Sequence, residues 1–193
     1  KEISADWGAG GTYRQITTAL VAGASGNVTA GATEFLQNTV INYVQQQGAE
    51  YIGDLVVSGV VKEGSPEHAA LHALVGCGGA AASGQDCAAG ALGGAASSLL
   101  TNLFDEANPD ETEEQREAKR NIILNLVAGI AEMTDVDTPT SVNSATATTD
   151  NNWLATQQIV QMNKELDQTD SSLEKLQILA KWGAVSVKQD YYT

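Results

Sequence analysis

The sequence predicts an all-α protein: a Gly/Ala-rich helical bundle, then a linker, then a C-terminal helical hairpin. Three observations carry this. Apolar residues recur at three- and four-residue spacing along most of the 193 residues. No alternating run of β-branched residues is long enough to make a strand. Helix starts and stops, written in Ser, Asp, Pro and Gly, punctuate the periodic segments.

Residues 1–11, KEISADWGAGG, read as an irregular lead-in. Thr12 opens a helical pattern carried by Tyr13, Ile16, Leu20 and Val21, which fades near Gly23-Ala24-Ser25-Gly26. A second helix is expected from Thr29 to Gln47, with Phe35, Leu36, Val40, Ile41, Tyr43 and Val44 on one side. Gly48 is expected to stop it, because glycine is costly inside a helix. Ala49–Val61 then reads as a third helix, carrying Tyr51, Ile52, Leu55, Val56 and Val60.

The next start is the clearest. Ser65 is a good N-cap, Pro66 fits the first turn, and Glu67 complements the helix dipole. This helix should run to about Ala82 and break at Ser83-Gly84. Gln85-Asp86 restarts a partner reaching about Phe104, and the two make an αα-hairpin. Gly76, Gly78, Gly79, Gly90, Gly93 and Gly94 lie on it. So many helical glycines, each costing up to about 1 kcal/mol, imply backbones in near contact. Membrane helices use the same device, so transient membrane contact is a second expectation.

Cys77 ends up late in the first hairpin helix and Cys87 at the start of the second. The pair reads either as a local disulfide, contributing about 2–3 kcal/mol, or as two buried thiols. A disulfide implies an oxidising compartment.

Asn108-Pro109-Asp110 is a turn, and DETEEQREAKRNIILNLVAGIAEMT after it is the strongest helix in the chain. Its charged pairs, such as Glu113 with Arg116 and Glu117 with Arg120, read as a solvated face. The Ser/Thr/Asp/Asn-rich stretch that follows, with Pro139, reads as a linker holding at most a short helical turn. Trp153–Leu166 and Ser171–Val187 close the chain as a helical hairpin. The domain reading is therefore a helical domain over 1–137, a linker over 138–152, and a separate region over 153–193.

Composition bounds the function. The net charge of −14, from 24 acidic and 10 basic residues, argues against nucleic-acid binding and against anionic membrane surfaces. No run of about 18 apolar residues suggests a membrane span. The first residues lack the apolar segment of a secretion signal, and the chain starts without Met, so a piece of a longer protein is expected. His68 and His72 sit one turn apart, but the metalloprotease order His-Glu-x-x-His is absent and no third ligand stands out. No metal and no cofactor are expected. The glycine clusters are not phosphate cradles, and no serine sits in a nucleophile elbow.

Asn151-Asn152 is the one readable piece of chemistry. An Asn side-chain amide can attack its own backbone carbonyl, forming a succinimide and releasing the chain downstream. Nucleophile and scissile bond belong to one residue, so proximity supplies much of the rate. Asp150 is placed to serve as base or acid. The other reading is a helix cap: Asn152 precedes the helix expected to begin at Trp153.

Four blocks occur here in one order: DWGAGGTYRQITTALVAGASG; EGSPEHAALHALVGCGGAAASGQDCAAGALGGAASSLL; TEEQREAKRNIILNLVAGIAE; and Asn151-Asn152. Over residues 6–153 the chain resembles the pretoxin region of filamentous haemagglutinin-like two-partner secreted exoproteins and contact-dependent growth inhibition effectors. That region ends in a Val-Glu-Asn-Asn motif. Here Thr149-Asp150 stands in place of Val-Glu, and Asn151-Asn152 matches the pair.

The resemblance implies a module held at the producer cell surface by an outer-membrane secretion partner and brought to a target-cell receptor. Cleavage at the Asn pair would then free a C-terminal toxin for the periplasm and cytoplasm of the target bacterium. A target inner-membrane protein and an immunity protein are further implied partners. Residues 153–193 would begin the uptake/toxin region. The rival expectations are a complete small toxin, membrane-active or enzymatic, and a purely structural or adhesive segment of a surface exoprotein.

Overall fold

The computed structural model describes residues 12–25, 32–104, 112–150 and 154–192. Within them the chain is all-α. The helices are α1 (Thr12–Ser25), α2 (Ala32–Val57), α3 (Pro66–Ala82), α4 (Cys87–Leu103), α5 (Glu113–Met133), α6 (Thr138–Thr148), α7 (Leu154–Asp167) and α8 (Ser172–Tyr192). No strand occurs among the described residues.

The α3–α4 hairpin is the centre of the bundle, and its ends follow from local chemistry. The Ser65 hydroxyl accepts from the His68 amide, and Pro66 fills a position whose N–H needs no partner. Gly84 takes the left-handed conformation (φ +70°) that turns the chain, while the Gln85 N–H reaches back to the Ala80 carbonyl. The Asp86 carboxylate caps α4 by accepting from the Ala88 amide. The two helices lie so close that a Cβ on Gly76 would collide with the Gly90 carbonyl, and one on Gly90 with the Gly76 carbonyl. A Cβ on Gly94 would strike the His72 carbonyl. The expected packing reason for the glycines is thus backbone against backbone.

Cys77 and Cys87 are bridged, Cα to Cα 4.1 Å apart, across the closed end of this hairpin. A short loop of this kind restricts the unfolded chain by about 2.5–3 kcal/mol. The double variant Cys77→Ala/Cys87→Ala is expected to lose that much stability in urea unfolding while keeping its helical circular dichroism. A midpoint unchanged from the oxidised protein would show the bridge to be energetically idle.

Three expectations need correction. First, Gly48 does not end a helix: α2 runs unbroken through it. A Cβ at Gly48 would lie 3.0 Å from a Val75 methyl, so the missing side chain lets α3 approach, and that packing outweighs a propensity of about 1 kcal/mol. Second, residues 138–150 of the proposed linker do not form one. Thr138–Thr148 is a helix, capped by the Asp137 carboxylate, and it packs on α4, α5, α2 and α3. Thr140, Ser141, Ser144, Ala145 and Ala147 are buried in it. Its small side chains let it approach so closely that a Cβ on Gly93 would hit the Ser141 carbonyl. The Ser141 hydroxyl donates to the Ala89 carbonyl, and Gln45 donates to the Ser144 hydroxyl. The bundle therefore extends past residue 137, to the end of α6.

Third, much of the predicted apolar face points outward. Leu36, Val40 and Val44 of α2 are about 60% exposed, as are Tyr13 and Val21 of α1 by half or more. The core instead holds Ala19, Ala49, Ala69, Ala80 and Ala89, with Gln46, Ser97 and Ser141. Helices in near contact leave no room for larger side chains between them. In α5 the buried stripe is Ile123, Val127 and Ala131, four residues apart, while Ile122 and Leu126 are partly exposed.

α7 and α8 pack on each other as the expected hairpin, and α7 rests on α2. Trp182 is buried, and its Nε1 donates to Glu165, which also pairs with Lys181 at 2.6 Å. No helix among the described residues is long and apolar enough to cross a membrane.

Candidate functional site

The candidate site is built at the carboxyl end of α6. Thr149 and Asp150 continue that helix as a π-helical turn. Asp150 is only 4% exposed. A carboxylate so far from water needs partners, and Arg120 of α5 supplies them. Its Nε donates to Oδ1 at 2.5 Å and its terminal nitrogen to Oδ2 at 3.0 Å, a bidentate pair. The bond to Asp150 is also the main reason the Arg120 pKa is raised, against the lowering effect of burial. Arg14 of α1 adds a second cation, 3.7 Å from Asp150 Oδ1, and donates to Glu117 at 3.2 Å. Beside this quartet the Thr149 hydroxyl is buried with no hydrogen-bond partner.

Of the three residues predicted for self-cleavage, Asp150 is therefore held in the bundle. Asn151 and Asn152 lie outside the described residues. Both oxygens of Asp150 are occupied by Arg120, so a proton-transfer role requires that pair to open. The expectation of a solvated face on α5 is corrected here too. Arg116 is buried, Arg120 turns to Asp150, and Glu117 accepts from Arg14 on another helix. Arg14, Arg120 and Thr149 were the residues sequence reasoning missed. Nothing in a helical charge pattern marks a pair formed 30 residues apart.

A second cluster lies in the core. His68 and His72 are both buried, their Nε2 atoms 3.3 Å apart. The Gly64 N–H, which can only donate, points at His68 Nδ1 at 3.2 Å. That nitrogen must then carry the lone pair, so the proton of a neutral His68 is on Nε2 and is donated to His72 Nε2. The Ser98 hydroxyl also sits 3.1 Å from His68 Nδ1. His72 is left with its proton on Nδ1, buried and without a partner. Burial, and then the proximity of His68, push the His72 pKa down to about 3. No group of three His, Cys, Asp or Glu among the described residues is placed to hold a metal. The pair is a packed element of the hairpin.

No protein family, curated protein or solved structure matches this chain.

Proposed function

We propose that the chain is the delivery, or pretoxin, module of a secreted contact-dependent inhibition effector, which holds a C-terminal toxin and releases it by cleavage after Asn152. The observation that carries this reading is the change in construction at Asp150. Before it, a disulfide-bridged bundle of small-residue helices ends in a buried ion pair. Directly after it in sequence come Asn151 and Asn152. Beyond them α7 and α8 pack on each other, and α7 rests about as much on α2 of the bundle. A passenger so placed can leave without dismantling the α3–α4–α6 core. The disulfide supports an oxidising, extracytoplasmic setting.

The chemistry balances within one residue. The Asn152 side-chain nitrogen forms a bond to its own carbonyl carbon, and the bond from that carbon to the Trp153 nitrogen breaks. The leaving amine takes up the proton lost by the attacking amide, and the bundle keeps a C-terminal succinimide. Purified protein incubated near neutral pH is expected to yield two fragments by mass spectrometry, divided between Asn152 and Trp153, and Asn152→Ala is expected to stay whole. If the wild type remains intact both alone and with its secretion partner, self-release is wrong.

A further inference from the structure

We propose that Arg14 and Arg120 form an ionic latch on Asp150 that fixes the last turn of α6 and ties it to α1. Under the delivery reading, on which its functional meaning rests, these are positioning residues for the junction that follows Asp150.

Three observations converge on the latch. Asp150 lies at the chain position just before the Asn pair and is almost wholly withdrawn from water. Its partners come from two other helices, one near the start of the chain, and Arg14 also holds Glu117. Two cations and two anions thus join α1, α5 and α6 in one neutral quartet. Finally, Thr149 continues α6 in ordinary helical conformation (φ −65°, ψ −45°), directly before Asp150. There the Thr149 hydroxyl is buried and unpaired.

Positioning matters because intramolecular attack depends on a narrow range of backbone geometries. A fixed residue on the amino side restricts the frame from which the Asn pair departs. The latch also makes that frame depend on α1, so a displacement of α1 reaches the junction through Arg14.

Hydrogen exchange on the full chain tests the latch directly. In Asp150→Asn and Arg120→Met, the amides of Thr146–Asp150 are expected to exchange about tenfold faster, and in Arg14→Met about threefold faster, because local opening no longer breaks the ion pair. The amides of Ala69–Ala80 in α3 should keep their wild-type rates. Unchanged exchange at Thr146–Asp150, or an equal rise throughout the bundle, overturns the latch. Arg14→Met is the mild variant that keeps the test readable should the other two unfold.

Fragment release adds a second readout. Asp150→Asn is expected to slow it about tenfold, and the exchange of charges, Asp150→Arg with Arg120→Asp, to restore part of the rate. Release at the wild-type rate from a variant with lost protection overturns the positioning role and leaves the cleavage reading intact. A wild type that never cleaves removes the cleavage reading, while the exchange rates still decide the latch.

Discussion

Acidification from pH about 6.5 to about 5 is expected to remove roughly 2 kcal/mol of folding stability, and further acidification toward pH 3 to bring the loss attributable to His72 to roughly 4–5 kcal/mol. The cause is His72, fully buried, with its pKa lowered from 6.5 to about 3. The sign follows from proton binding. In the unfolded chain the imidazole takes its proton as pH falls through about 6.5, but the folded protein refuses it until about 3. Between these values the unfolded state binds more protons, so stability rises with pH and is fully present above the unfolded pKa.

The nearest titratable group is His68, whose Nε2 lies 3.3 Å from that of His72 and disfavours a charge on it; the other surroundings of the ring offer little to soften this. α4 and α6, packed on α3, carry no ionisable side chain between Cys87 and Leu103 or between Thr138 and Thr148 that titrates in this range. On α2, Asp54 is exposed and Glu50 accepts from Gln15 and Gln47. Lys62 and Glu63 precede the hairpin, with Lys62 exposed. Acidification also relieves the self-repulsion of a chain of net charge −14, which opposes the loss. Comparison with His72→Leu cancels that common contribution. Urea unfolding of both proteins at pH 7, 6 and 5 checks the prediction: the wild type should lose more stability per pH unit than the variant. Parallel lines for the two would mean that His72 charges as easily in the fold as outside it.

What was readable in advance was whatever short-range chemistry decides. The ends of α3 and α4 agree with expectation because Ser65, Pro66, Gly84 and Asp86 act within a few residues of themselves. The bridge between Cys77 and Cys87 depends on that same hairpin turn. Failures begin where a distant partner overrides a local preference. α6 looks like a linker because Ser, Thr and Asn favour turns. It is a buried helix because its small hydroxyl side chains fit against glycine-bearing α4 and find acceptors there. Apolar periodicity located α2 but misjudged Leu36, Val40 and Val44, since the pattern cannot say which face a close-packed neighbour will cover. At the candidate site Asp150, Asn151 and Asn152 were named beforehand, and of these only Asp150 lies among the described residues. Its Arg14 and Arg120 partners come from segments whose meeting is a property of the whole bundle.

The glycines carry the other large effect, and its sign distinguishes two classes of position. In an ordinary helix interior, Gly→Ala stabilises by up to about 1 kcal/mol. Gly78 of α3 and Gly129 of α5 should obey this rule, because a Cβ on either meets open space. Gly90→Ala should do the reverse. The added methyl would collide with the Gly76 carbonyl and crowd the Ala80 side chain, and a backbone group cannot swing away as a flexible side-chain tip can. Relief requires α3 and α4 to separate, which strains the hairpin below its bridge and loosens the α6 contacts on Gly93. Overpacking of a tight core costs about 1–3 kcal/mol, and a clash between two main chains belongs at the upper end, about 3 kcal/mol. Thermal or urea unfolding of Gly90→Ala, Gly78→Ala and Gly129→Ala side by side gives the answer. A Gly90 variant as stable as the other two would mean that the helices do not meet backbone to backbone. Close approach would then no longer explain why the core is built from glycine, alanine and serine.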